Sequence, residues 1–154
     1  MAKKQIGTLQ VAALCDGTVI DHIPSEQVFK VASLLKLDTL TNRITIGNNL
    51  ASQKMGTKGI IKISDKYFEE EQINKIALIA PNVYLSIIKN YNVEDKRKVV
   101  LPEIIKGIVK CNNPKCITNN EPMSTVFDVI DRDNITLSCH YCNIEILQKD
   151  IELK

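Results

Sequence analysis

The stretch Cys111-Asn112-Asn113-Pro114-Lys115-Cys116 is followed, after twenty-two intervening residues, by Cys139-His140-Tyr141-Cys142. Each stretch is a tight turn with a cysteine at both ends. Asn and Pro suit the first bend, and the second has the minimal knuckle spacing. Two such turns can aim four soft sulfur ligands at one point, which is what a tetrahedral zinc site requires. Cys111, Cys116, Cys139 and Cys142 are therefore read as ligands of one structural Zn2+. Two disulfides would use the same residues, but nothing in the chain marks it as secreted, and disulfides are rare inside cells. His140 lies inside the second knuckle and is read as facing solvent. With four protein ligands the site keeps no position open for substrate or water.

Composition sets the outer bounds. The chain has 154 residues, 44% hydrophobic and 25% charged, which fits a soluble protein of one or two small domains. No apolar run approaches the ~20 residues that span a bilayer, so the chain is expected in the cytoplasm with no membrane partner. Residues 102–154 carry six Lys/Arg and eight Asp/Glu, against fourteen and ten in the residues before them. A zinc module that gripped nucleic acid would show the opposite sign, so no nucleic-acid partner is expected.

Outward from the cysteines, the N-terminal part reads as alternating strands and two helices. Ile6 to Leu14 alternates and meets Asp16-Gly17, a strong hairpin signal, with Thr18 to Ile23 as the return strand. Pro24 ends that strand and Ser25 can cap a helix with Val28, Val31, Ala32 and Leu35 on one stripe. Arg43 to Ile46 is a short strand, Asn48 to Gly59 a polar loop, and Ile60 to Ile63 another strand. Glu69 to Ala80 is a second helix, acidic in its first turn and stopped by Pro81. Val83 to Ile88 is a strand expected to run on through Tyr91 and Val93. The order β-β-α-β-β-α-β suits an antiparallel sheet with two helices on one face, a ferredoxin-like α+β domain.

The charged run Glu94-Asp95-Lys96-Arg97-Lys98 and then Leu101-Pro102 mark the boundary, with one domain over residues 1–98 and a second over 99–154. The second is expected to be a small all-β, zinc-ribbon-like domain, with strands at Ile108-Val109, Thr125 to Ile130, Ile135 to Leu137 and Ile144 to Leu147. About fifty residues in short strands bury little core, and zinc would make up the deficit. No catalytic constellation emerges: there are two histidines, His22 and His140, and no glycine-rich phosphate loop. Cys15, the fifth cysteine, reads as a small apolar residue. A small enzyme is disfavoured by the missing acid/base pair.

The stretch Gly17-Thr18-Val19-Ile20-Asp21-His22-Ile23-Pro24 resembles the signature of aspartate carbamoyltransferase regulatory chains. So do Arg43 to Gly47, Ala80-Pro81, Leu101-Pro102 and both cysteine knuckles, in register from Leu9 to Leu153. The resemblance implies a non-catalytic subunit of pyrimidine biosynthesis. Its N-terminal domain would bind ATP, CTP or UTP and pair as a homodimer. Its zinc domain would dock on the aspartate carbamoyltransferase catalytic chain. Carried onto this sequence, the resemblance implies that Asp21 holds ribose hydroxyls and His22 faces the phosphates. Lys62 would reach ribose or base, and Lys96 the triphosphate. Leu14, Val19, Tyr91 and Val93 would belong to the nucleotide site, with Leu14, Tyr91 and Val93 lining the base pocket. The chain departs from the family pattern at Cys15, where a basic residue is usual, and at Met55-Gly56-Thr57-Lys58-Gly59, which stands for an MGRKD-like loop.

Overall fold

A computed structural model describes residues 13–154, which divide into two compact units after Val99. No helix among the described residues is long and apolar enough to cross a membrane.

The first unit is a five-stranded antiparallel sheet with two helices. Strand β1 spans Gly17–Ile23, and a 3-10 turn at Ser25–Gln27 leads into helix α1, Val28–Leu34. Strands β2 (Ile44–Ser52) and β3 (Gly56–Ser64) form a hairpin, helix α2 spans Glu70–Ile79, and β4 (Tyr84–Lys89) and β5 (Asn92–Lys98) form a second hairpin. The strands lie in the order β2-β3-β1-β4-β5, so β1 is central. The first four strands with the two helices make the split β-α-β-β-α-β arrangement expected, and β5 is added at the edge.

One face of the sheet is covered. Ile20, Ile61, Ile63 and Leu85 are buried, as are Val28, Val31 and Leu35 around α1 and Ile73, Ile76 and Ala77 of α2. The two helices also touch each other. Gly59 explains how closely α1 can approach. It is buried in β3, and a Cβ there would lie 1.9 Å from Val28 Cγ2. Helix α2 starts with a capping box in which Glu69 N–H donates to Gln72 Oε1 and the Glu69 side chain accepts from the Gln72 backbone. Ser25 does not cap α1; its hydroxyl donates to Thr57 Oγ1 instead.

Three expectations are corrected. The strand expected over Ile6 to Leu14 lies, but for Ala13 and Leu14, outside the described residues; the hairpin turn expected at Asp16-Gly17 is not seen, since Gly17 already opens β1. Gly17 to Ile20 pair with β3 on one side and with β4 on the other, so both edges of β1 are taken. Asn48 to Gly59 is no loop: only Gln53 to Met55 turn, and the rest extends β2 and β3. The strand Val83 to Ile88 does not continue through Tyr91. Asn90 and Tyr91 take φ of 52° and 64°, the geometry of a two-residue hairpin turn, and the charged run returns as β5. Every residue of β5 is exposed, and the charges suit an edge strand.

The second unit has a four-stranded antiparallel sheet, β10-β9-β8-β6, and a two-stranded one, β11-β7. These are β6 (Ile104–Lys106), β7 (Val109–Lys110), β8 (Val126–Asp131), β9 (Thr136–Cys139), β10 (Glu145–Leu147) and β11 (Glu152–Leu153). The core is small: Ile105, Phe127, Ile135, Leu137 and Ile146 are its fully buried large side chains. Asp131 ends β8 as expected for a turn, its Oδ1 accepting from the backbone N–H of Asp133 and Asn134. Hydrogen bonds from the Asn134 backbone and side chain, and to a lesser degree from the Asp133 backbone, hold its carboxyl below the ordinary value.

Candidate metal centre and anion-binding face

The four cysteines converge. Cys111, Cys116 and Cys139 are buried, Cys142 is half-buried, and all four sulfurs lie within 4.8 Å of one another. Cys111 Sγ is 3.7 Å from Cys142 Sγ, and Cys116 Sγ is 3.8 Å from Cys139 Sγ. A disulfide would bring two sulfurs to ~2.05 Å. Four sulfurs ~2.3 Å from a central zinc stand about 3.8 Å apart along the edges of the tetrahedron. The donor set and its spacing therefore fit one structural zinc ion and exclude paired disulfides.

The thiols need a cation to ionise together. Burial pushes Cys111 up to about 12, with the Cys142 and Cys116 thiols adding to the rise. Burial also raises Cys139. At Cys142 burial opposes ionisation, but Asn113, the Ile144 backbone and the neighbouring thiols bring it down to about 7. The Cys142 thiolate forms readily while Cys111 and Cys139 resist, and a bound dication reverses that resistance. His140 is no ligand: its Nδ1 faces Asp128 Oδ2 at 3.9 Å and its ring meets Tyr141 edge-on.

Sequence reasoning missed the residues that hold the knuckles in shape. A four-residue helix α3, Ile117–Asn120, follows Cys116. Asn119 Nδ2 donates to the carbonyls of Cys111 and Asn113, and Asn120 Nδ2 to those of Pro114 and Cys116. Thr118 Oγ1 lies 3.2 Å from Cys116 Sγ, within reach of a hydrogen bond to the sulfur. Such outer contacts orient metal ligands. Nothing in their spacing announces them, since Asn is common in any turn.

The face of the first unit opposite the helices is built from strand register. Thr45 pairs with Lys62, Lys62 with Val19, Val19 with Ser86, and Ser86 with Lys96. These five residues form one row across all five strands, with Lys62 and Lys96 three strand spacings apart, about 14 Å. Two residues along β1, Asp21 pairs with Tyr84. A register shift between Ile20 and Ile23 marks a bulge there, and His22 sits in it with φ of 61°.

This end of the face is rich in charge. Asp21 Oδ1 accepts from the His22 backbone N–H at 2.6 Å and from Lys58 Nζ at 2.9 Å. The His22 ring meets Tyr84 edge-on at 5.0 Å, and Lys54 and Lys96 place their ammonium groups 5.3 and 5.4 Å from the centre of the same ring. His22 Nδ1 is buried and makes no hydrogen bond. Burial lowers the His22 pKa; Asp21 opposes the shift, while Lys58, Lys54 and Lys96 add to it. Burial likewise lowers Lys62, against the pull of Asp21.

The other end is apolar and offers backbone groups. Leu14 is buried, and Tyr91 and Val93 are 68% and 58% exposed. Tyr91 N–H donates to the Cys15 carbonyl at 2.9 Å, which ties the β4–β5 turn to the start of β1. Val93 pairs with Ile88, and Ile88 with Gly17. Gly17 has φ of 140°, and a Cβ there would strike the Ile63 carbonyl at 2.0 Å. The structure thus sets Leu14, Tyr91 and Val93 at one end, Val19, Lys62 and Lys96 in the middle row, and Asp21 and His22 at the charged end. Lys54, Lys58 and Tyr84 were missed. Both lysines fall in the stretch read as a loop, where no face could be assigned.

Fold and site define a two-domain protein in which an open-faced α+β sheet domain precedes a closed metal domain with four cysteine ligands. Residues 9–100 match the family model of the aspartate carbamoyltransferase regulatory chain, allosteric domain, and residues 103–152 match that of its metal binding domain. The chain is 58% identical over 154 residues to the aspartate carbamoyltransferase regulatory chain of Parabacteroides distasonis, covering 100% of both chains. It is 59% identical over 145 residues to that of Bacteroides fragilis, covering 94% of this chain and 95% of the relative. It is also 45% identical over 145 residues to that of Pyrococcus abyssi, covering 93% and 95%. The chain belongs to the family of aspartate carbamoyltransferase regulatory chains and is a regulatory, non-catalytic subunit.

Proposed function

We propose that the first unit binds nucleoside triphosphates such as ATP, CTP and UTP on its open sheet face and thereby adjusts an aspartate carbamoyltransferase catalytic chain in pyrimidine biosynthesis. The carrying observation is the convergence of Asp21, His22, Lys62 and Lys96 on one face that ends in the apolar group Leu14, Tyr91 and Val93. A carboxylate suits ribose hydroxyls and ammonium groups suit phosphate oxygens. Asp21 then takes the ribose, Lys62 the ribose or base, and His22 and Lys96 the phosphates. Backbone groups near Leu14 and Tyr91 read the base edge, and Val19 and Val93 pack beside it.

The metal unit, in this reading, is the attachment to the catalytic chain. Ile104, Ile117, Tyr141 and Leu147 are each exposed on it, apolar side chains that a partner could cover. The homodimer is assigned to the β2 edge. Strand β5 guards its edge with five charged residues, whereas β2, Ile44–Ser52, carries none and leaves Ile46 39% exposed. Two copies of that edge can pair about a two-fold axis. The reading carries the cytoplasm as compartment, where thiols stay reduced and available to zinc.

Activity of the catalytic chain towards aspartate, measured with this chain added and each nucleoside triphosphate in turn, tests the reading. Nucleotide-dependent activity in the complex, absent from the catalytic chain alone, is expected. The same nucleotide response with and without this chain would refute it.

A further inference from the structure

We propose that Lys54, seated on the ring of Tyr84, reads the length of the phosphate chain and makes the face selective for triphosphates over monophosphates; this rests on the nucleotide-binding reading above. Lys54 belongs to the tip of the β2–β3 hairpin, where a lysine ordinarily extends into water and keeps its rotamer freedom. Here its Nζ lies 5.3 Å from the centre of the Tyr84 ring, which belongs to β4. Strand β1 separates β4 from the hairpin, so the tip leans over the sheet to make this contact. The lean has a visible cause in two register shifts, between Gly47 and Leu50 and between Ile20 and Ile23, since bulges bend and twist the strands that carry them.

The two lysines on the ring have no carboxylate partner among the described residues. Lys54 and Lys96 both approach one ring, at 5.3 and 5.4 Å, and His22 meets it at 5.0 Å. Asp21, the carboxylate among them, is already engaged by Lys58 at 2.9 Å and also acts on Lys62. Among the described residues, neither Lys54 nor Lys96 makes an ion pair. The Lys54 and Lys96 ammonium groups on one ring repel one another until an anion arrives. The ring holds both by a cation–π contact, which is weaker than a charge-assisted hydrogen bond to phosphate and yields to it. Lys54 enters from the hairpin tip, the end of the face away from Leu14, Tyr91 and Val93. It therefore meets the phosphate most remote from the base. Lys96 and His22 serve the nearer phosphates, and only a long chain engages all three.

Calorimetry on the full-length chain, with the mono-, di- and triphosphates of one nucleoside and with inorganic triphosphate, tests this. In the unaltered chain affinity rises with each phosphate. Lys54→Ala should weaken triphosphate and inorganic triphosphate about tenfold, the worth of one charge-assisted hydrogen bond, and leave monophosphate within about twofold. Tyr84→Phe keeps the ring and should bind as the unaltered chain does, whereas Tyr84→Leu should lose part of the triphosphate preference. Equal losses for mono- and triphosphate in Lys54→Ala, or none for triphosphate, overturn the proposal while leaving nucleotide binding in place. An unaltered chain that takes up no nucleotide overturns both.

Discussion

The two units solve opposite problems. The metal unit gathers four sulfurs within 4.8 Å in a mostly buried site fixed by backbone carbonyls and two asparagines. The first unit spreads its polar groups over five strands on a face left open, with lysines that reach inward from an edge strand and a hairpin tip. A closed site holds a structure together, and an open one responds to what lands on it. The comparison assigns stability to one half of the chain and regulation to the other.

The largest test of that division is removal of the metal. The second unit has few fully buried large side chains, and structural zinc contributes roughly 10–16 kcal/mol of apparent binding free energy. Strong chelation, or Cys116→Ala, should unfold the residues after Val99 and leave the first unit folded, as read by amide hydrogen exchange. Purified protein without stoichiometric zinc, or a metal-free second unit that stays protected, would break the comparison at its firmer end.

Next in size is the packing beneath the open face. Gly59→Ala should cost about 1–3 kcal/mol in denaturant unfolding of the first unit, because the new methyl meets Val28 Cγ2. Val28→Ala in the same chain should recover part of the loss, since the two side chains would then share the space. Independent, additive losses would show that the helix does not rest on β3 at this point.

Effects of like size, read in binding, sharpen the open half. Lys96→Ala should weaken triphosphate binding by about 1.5–3 kcal/mol, nucleoside binding much less, and the loss should shrink at high salt. Equal losses for both ligands in calorimetry would remove Lys96 from phosphate duty. The smallest effect is linked to pH. Burial holds the His22 pKa below its ordinary 6.5, so the free face carries a neutral imidazole as pH falls past that value. Its stabilising contribution is complete above about pH 6.5 and declines as pH drops towards the lowered folded value. Phosphate favours the imidazolium, so triphosphate binding in that window should take up a proton and tighten as pH falls. The terminal phosphate titrates near pH 6 as well. The difference between the unaltered chain and His22→Gln, in buffers of different ionisation heat, isolates the imidazole.

The same contrast explains what the sequence disclosed. Cysteine pairs within six and four residues are local, and local spacing was enough to read the metal centre. The helices were legible from Val28, Val31, Leu35 and Ile73, Ile76, Ala77, because one stripe of each is buried. Strand β2 was half missed because it is an edge strand with neither face fully buried, so Asn48 to Ser52 show no alternation. The β4–β5 turn escaped because Tyr91, with its φ of 64°, replaces the glycine that announces such turns. Losing those two hairpins hid Lys54 and Lys58 and turned Lys96 into linker. Asp21, His22, Lys62 and Lys96 became a group through long-range register, to which family resemblance pointed and spacing could not.

The central claim is that the open face regulates and the metal unit attaches. One activity measurement tests it most directly: the catalytic chain is combined with this chain, with Asp21→Ala or with Cys116→Ala, and aspartate turnover is followed as nucleoside triphosphate is added. Allosteric coupling is typically ~1–3 kcal/mol, or roughly 5–150-fold. Asp21→Ala should assemble and lose most of the nucleotide response, whereas Cys116→Ala should fail to assemble and leave a catalytic chain that turns over without nucleotide control. A full response from Asp21→Ala, or a catalytic chain with no turnover unless this chain is attached, would contradict it.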